Sequence, residues 1–130
     1  QAQWARSWSL FLGSSTIHEL LMVYRRLGFY PGNACVSSLL LVLLPQLPTA
    51  TSSQIVDVLD VLAAFGHTPG AQPLDALVST LHARWRRGRQ CTPAHLATAL
   101  CACAVLGHHP GAAFVDDACA AALYGEVEEE

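Results

Sequence analysis

The chain has no lysine, and only 13% of its 130 residues are charged, about half the usual globular share. Low charge beside 52% apolar content excludes intrinsic disorder for most of the length, because disorder requires little hydrophobicity and much net charge. Long apolar runs are missing as well. The longest, residues 39–44 and 99–106, stop at Pro45 and Gly107, well short of the roughly 18 residues of a spanning helix, so no membrane contact is expected. β-branched and aromatic residues are sparse beside 20 alanines and 20 leucines, a balance that disfavours sheet and favours helix. These features predict an all-α protein of one domain, long enough to bury a core.

Five cysteines is an odd number, and a helical chain of this size needs no covalent staples, so free thiols in a reducing compartment are expected. No secretory signal is visible. The chain starts at Gln1 without methionine, which leaves room for a removed initiator or targeting segment, or for a longer parent. The formal charge of -3 misleads, because Glu126, Glu128, Glu129 and Glu130 supply four of the ten acids. Through Gly125 the balance is seven to six, or +1. Bulk charge therefore does not mark a nucleic-acid binder, and any such role depends on clustering of the arginines.

Laid against itself, the chain repeats. Leu27-Gly28-Phe29-Tyr30-Pro31-Gly32 is answered 38 residues later by Phe65-Gly66-His67-Thr68-Pro69-Gly70, and 41 after that by Leu106-Gly107-His108-His109-Pro110-Gly111. Each hexapeptide has a glycine suited to ending a helix and a proline that cannot continue one. The flanking helices share a register. Ile17, Leu20, Leu21, Tyr24 and Leu27 are matched by Ile55, Val58, Leu59, Leu62 and Phe65, then by Leu96, Ala99, Leu100, Cys103 and Leu106, with no charged residue among them.

After each turn, Val36, Leu39, Leu40 and Leu43 are matched by Leu74, Leu77, Val78 and Leu81, then by Val115, Ala118, Cys119 and Ala122. Each unit reads as a helical hairpin. Thr16 with Glu19, then Ser52 or Ser53, then Pro93 after Thr92 are the expected helix starts, and Pro45 and Pro48 close the second helix of the first unit. Residues 15–52, 53–93 and 94–124 form three repeats, followed by an acidic tail at 125–130. Residues 1–14, with Trp4, Trp8, Phe11 and Leu12 at helical spacing, read as the end of a preceding repeat or a capping helix. Hairpins of this kind bury their faces by stacking, so an α-solenoid is expected.

The period, the paired helices and the pattern Leu-Gly-x-x-Pro-Gly-x-x-(aromatic)-(apolar) resemble the octotricopeptide repeat family of green-algal organelle proteins over residues 15–123. The best match runs from Leu106 to Val115 and ends in Phe114-Val115. Where the family shows two prolines and then a tryptophan, this chain has Pro31-Gly32, Pro69-Gly70 and Pro110-Gly111, with Cys35, Pro73 and Phe114 at the tryptophan position. The resemblance implies RNA work in a mitochondrion or a chloroplast: binding or stabilising organellar transcripts, or holding ribosomal RNA as a ribosomal protein of an organellar ribosome. It also implies that the first helix of each repeat faces the RNA. The exposed positions there are Glu19, Met22 and Arg26, then Asp57, Asp60 and Ala64, then Thr98, Cys101 and Val105. With two aspartates and few donors, they are poorly suited to reading bases.

The run Arg84-Trp85-Arg86-Arg87-Gly88-Arg89 holds four of the seven arginines where the period lengthens. Guanidinium groups pair with phosphates and tryptophan stacks on bases, so Arg84, Trp85, Arg86, Arg87 and Arg89 are the candidate RNA site, with Arg25 and Arg26 as a smaller one. The same run also reads as a solvated helix end whose arginines complement the dipole while Trp85 packs on the next unit.

Cys101 and Cys103 point about 200° apart on a helix and do not share a metal readily. Cys103 and Cys119 fall at core positions of the repeat, and Asp116 and Asp117 at a helix start. His108-His109 partly repeats His67, in keeping with a role in the turn. There is no nucleophile elbow, phosphate loop or His-Glu metalloprotease motif. No enzyme activity, cofactor, metal or small-molecule substrate is expected. The expected partner is RNA, within a large complex containing other proteins; the alternative is a protein-interaction scaffold that never touches RNA, since fold does not decide function.

Overall fold

The computed structural model describes residues 13–129, with side chains as far as Leu123. Trp4, Trp8, Phe11 and Leu12 lie outside the described residues. Among the described residues the protein is all helical, without strands: α1 (Ser14–Leu27), α2 (Asn33–Leu43), α3 (Ser52–Phe65), α4 (Ala71–Arg86), α5 (Pro93–Leu106) and α6 (Ala112–Glu129). A 3₁₀ helix, Leu44–Thr49, extends α2 and contains both Pro45 and Pro48, which lack the N–H that an α-helix would use.

The three hexapeptides link α1 to α2, α3 to α4 and α5 to α6 through one repeated backbone path. Gly28, Gly66 and Gly107 end the first helices at φ of 64°, 65° and 70°, the left-handed conformation that costs glycine least. The next N–H closes each end: Phe29 N donates to Tyr24 O at 2.9 Å, His67 N to Leu62 O at 3.0 Å, and His108 N to Cys103 O at 2.9 Å. Gly32, Gly70 and Gly111 then open the second helices at φ of 105°, 105° and 103°. The first helices are 14 residues each, whereas α2, α4 and α6 have 11, 16 and 18.

Two helix starts differ from the sequence reading. Thr51, not Ser52 or Ser53, caps α3: its hydroxyl accepts from Gln54 N while the Gln54 side chain accepts from Thr51 N. The Thr16–Glu19 pair lies inside α1, which begins after Gly13 with no side-chain cap. Thr92 caps α5 in a box with His95, and Pro93 occupies the first turn as expected.

α3 packs against α1 on one side and α5 on the other, while α4 lies against α3, α5 and the 3₁₀ helix, and α6 against α5. Ile55, Val58, Leu59, Val61 and Leu62 of the central helix are all buried. The predicted core positions of α2 and α4, Val36, Leu39, Leu40 and Leu43, then Leu74, Leu77, Val78 and Leu81, are buried to the last residue. α6 departs from the predicted register: Phe114, Ala118 and Ala121 are buried, whereas Val115 is half-buried and Cys119 and Ala122 are exposed. Phe114, the bulkiest side chain on this face, claims the inner position and meets His82 edge-on at 5.4 Å. The helix runs on through Glu129, so Glu126, Glu128 and Glu129 extend it.

Candidate nucleic-acid interface

The arginine run is wound around the last turn of α4. Arg87 caps the helix, Gly88 turns left-handed at φ 66°, and Arg89 N donates back to Arg84 O at 3.0 Å. Successive helical positions point about 100° apart, so these arginines meet different surroundings.

Arg84 turns inward and is half-buried. Its guanidinium donates to Ala50 O at 2.6 Å, Leu47 O at 3.1 Å and Ser52 Oγ at 3.2 Å, holding the end of the 3₁₀ helix against the start of α3. The fan of N–H groups that suits a phosphate is here satisfied by the protein's own acceptors. Arg84 therefore does not join the exposed cluster. Trp85 is half-buried against the core.

Arg86 reaches α6, where its Nε lies 3.2 Å from Asp117 Oδ2. His82 Nε2 donates to the same oxygen at 2.6 Å, which leaves it no lone pair to accept from Arg86. The hydrogen bond from His82, aided by Arg86, holds the Asp117 carboxyl below the ordinary aspartate range. Arg87 and Arg89 are exposed, and nothing among the described residues pairs with them.

Arg25 and Arg26 end α1. Arg25 pairs with Asp60 of α3, while Arg26 is exposed with no partner among the described residues. These two lie at the hexapeptide edge and the α4 terminus at the opposite edge, a helix length of 14 residues or roughly 21 Å away. The two basic groups do not form one patch. Beside Arg87 the fold adds what the sequence did not show: a depression of about 380 Å³ lined by Pro48, Ser79, Thr80, Ala83, Arg84 and Arg87. A second, of about 460 Å³, brings Pro48 together with Thr49, Ser53, Gln90 and His95. In the first, all the residues but Pro48 come from one face of α4 and its cap; in the second, the stacking of hairpins gathers donors that no local pattern announces.

Asp57 and Asp60, repulsive to phosphate if free, are engaged within the stack. His18 Nε2 donates to Asp57 at 2.8 Å, and Asp60 takes Arg25. The turn histidines reach the preceding hairpin. Buried His67 lies 2.7 Å from Tyr30 Oη and 3.1 Å from Asn33 Oδ1, and burial lowers its imidazole pKa. His108 Nε2 donates to Asp75 at 2.9 Å.

Cys101 is exposed and Cys103 buried, on opposite sides of α5. Burial raises the Cys103 and Cys91 thiols above their usual range, which weakens them as nucleophiles at neutral pH. Among the described residues, no group of three His, Cys, Asp or Glu side chains is placed to hold a metal ion, and no helix is long and apolar enough to cross a membrane. Compared with known family models, curated proteins and solved structures, the chain matches none of them.

Proposed function

We propose that the protein is a non-catalytic α-solenoid of three hairpins, of octotricopeptide type, that holds RNA by its phosphates inside an organellar ribonucleoprotein. The mitochondrial ribosome is the preferred assembly and ribosomal RNA the preferred ligand; a chloroplast complex is the alternative. The solenoid reading is supported by the repeated turn backbone and by the order α1, α3, α5 in which the first helices pack. The observation that carries the RNA reading is a pair of exposed guanidinium groups without partners among the described residues: Arg87, which lines a depression with Ser79 and Thr80, and Arg89, two residues on. Arg86 and half-buried Trp85 flank that edge. Contacts of this kind follow charge and shape, and the outward positions of α5, Thr98, Cys101 and Val105, add little with which to read bases.

Binding of single-stranded RNA measured against salt tests this. Affinity falls linearly on logarithmic axes, and each phosphate contact removed by Arg87→Ala or Arg89→Ala lowers the slope by about 0.7. An unchanged slope in the double variant, or no binding at low salt, overturns the proposal. A second reading, a scaffold that grips another polypeptide of the same assembly, is favoured by the exposed Leu41 on α2 and Leu123 on α6. Ultraviolet cross-linking of the native complex separates the two: recovered RNA joined near Trp85 supports the first, and a cross-linked protein with no RNA the second.

A further inference from the structure

The three first helices differ in what covers them. On α3, Asp57 contacts His18 of α1, and Val61, one turn further along the same face, is fully buried. On α5, His95 contacts Ser53 of α3, and Ala102, two turns along that face, is buried. Each of these helices thus receives the preceding first helix on this face. The equivalent residue on α1 is Val23, which is 43% exposed. Leu27, equivalent to half-buried Phe65 and buried Leu106, is 73% exposed, and Phe29, equivalent to buried His67, is 56% exposed. Among the described residues this receiving face is open.

The other end carries the matching half. α1 gives Ser15, His18 and Arg25 to α3. The equivalent residues are Ser53, Val56 and Ala63 on α3, then Ala94, Ala97 and Ala104 on α5. Val56 is buried, but all three α5 alanines are exposed, and neighbouring Val105 is 69% exposed. The large apolar side chains of the α1 face thus have an uncharged row of small ones as counterpart. Two charges lie on this side of α1: Glu19 occupies the position of Asp57, which itself stays partly exposed at the rim, and Arg26 that of exposed Ala64.

From this we infer that the chain stacks head to tail on a second copy of itself. The α5 face of one molecule takes, against α1 of the next, the place that α1 takes against α3 within the chain. A second copy is the occupant because the two faces, open among the described residues, are the two halves of a contact already made twice inside the molecule. The contact is heterologous, so it propagates into longer stacks and does not close as a symmetric dimer.

Sedimentation velocity over a wide concentration range tests it with two variants altered only at exposed positions, each checked for native helicity by circular dichroism. Val23→Glu with Leu27→Glu blocks the receiving face; Ala97→Glu with Val105→Glu blocks the giving face. Wild type should grow beyond dimers with concentration, each variant alone should stay monomeric, and their mixture should form a species of two chains and nothing larger. Monomeric wild type at every concentration overturns the inference. So does self-pairing of the second variant, which would mean that α1 faces pair with each other.

Discussion

Removing the Arg84 side chain separates a structural arginine from its exposed neighbours Arg87 and Arg89. Its guanidinium makes three hydrogen bonds, to Ala50 O, Leu47 O and Ser52 Oγ, and bonds from a charged donor each contribute about 1.5–3 kcal/mol. The simple sum overstates the loss, because Arg84 is half-exposed and lines an open depression from which water can reach the abandoned acceptors. A net cost of about 2 kcal/mol for Arg84→Ala is what remains. For a chain of this size that lowers Tm by roughly 8 °C, read by circular dichroism at the helical minimum or by urea titration. Arg84→Lys, which keeps the charge but loses the planar fork, should fall between. Arg87→Ala and Arg89→Ala should stay within about 0.5 kcal/mol of wild type. If Arg84→Ala melts together with Arg89→Ala, the latch between α4 and the 3₁₀ connection does not hold the hairpins and the reasoning fails.

Phe114→Ala empties a buried position between α6 and α4 and should cost about 3–4 kcal/mol, measured by urea unfolding. Gly66→Ala places a Cβ in open space, so its cost of about 1 kcal/mol comes from the left-handed backbone alone, and Gly66→Asn should recover part of it. Stability should depend on pH in two windows, followed by thermal melts. Because His67 is held below its usual pKa, the unfolded chain binds its proton first, and stability declines as pH falls below about 6.5. Asp117, also lowered, stabilises the fold above about pH 3.8, and this is lost as pH falls towards its folded value; Asp117→Asn should flatten that acid limb, and an unaltered profile would contradict the His82–Asp117–Arg86 arrangement.

The turns were legible because glycine and proline act on their own backbone, so the same letters impose the same path wherever they recur. The core of α2 and α4 was legible because leucine or valine stands at every counted position, and all eight are buried. In α6 the counted positions hold Val115, Ala118, Cys119 and Ala122, and the size of Phe114 moved the buried face to Phe114, Ala118 and Ala121. The caps were half legible: three hydroxyl residues stand in a row at Thr51, Ser52 and Ser53, and the choice falls on Thr51 because Gln54, three residues on, returns the bond. Thr16 and Glu19 carry a capping pattern, but the helix had already begun at Ser14, whose buried hydroxyl meets Thr49. The arginine run was legible as a cluster and illegible as a site. Which of its members turns inward depends on acceptors more than 30 residues away, and the His–Asp contacts between hairpins have the same cause.

The equal length of α1, α3 and α5, set against the unequal length of their partners, has a mechanical meaning. The first helices work like the spine of a book and the second helices like its pages, which can be trimmed to different widths without moving the binding. Residues added at the α4–α5 connection lengthen the rim on the side of the second helices and leave α1, α3 and α5 at one length. That rim is where such a scaffold can acquire or discard a binding loop while its stacking stays fixed.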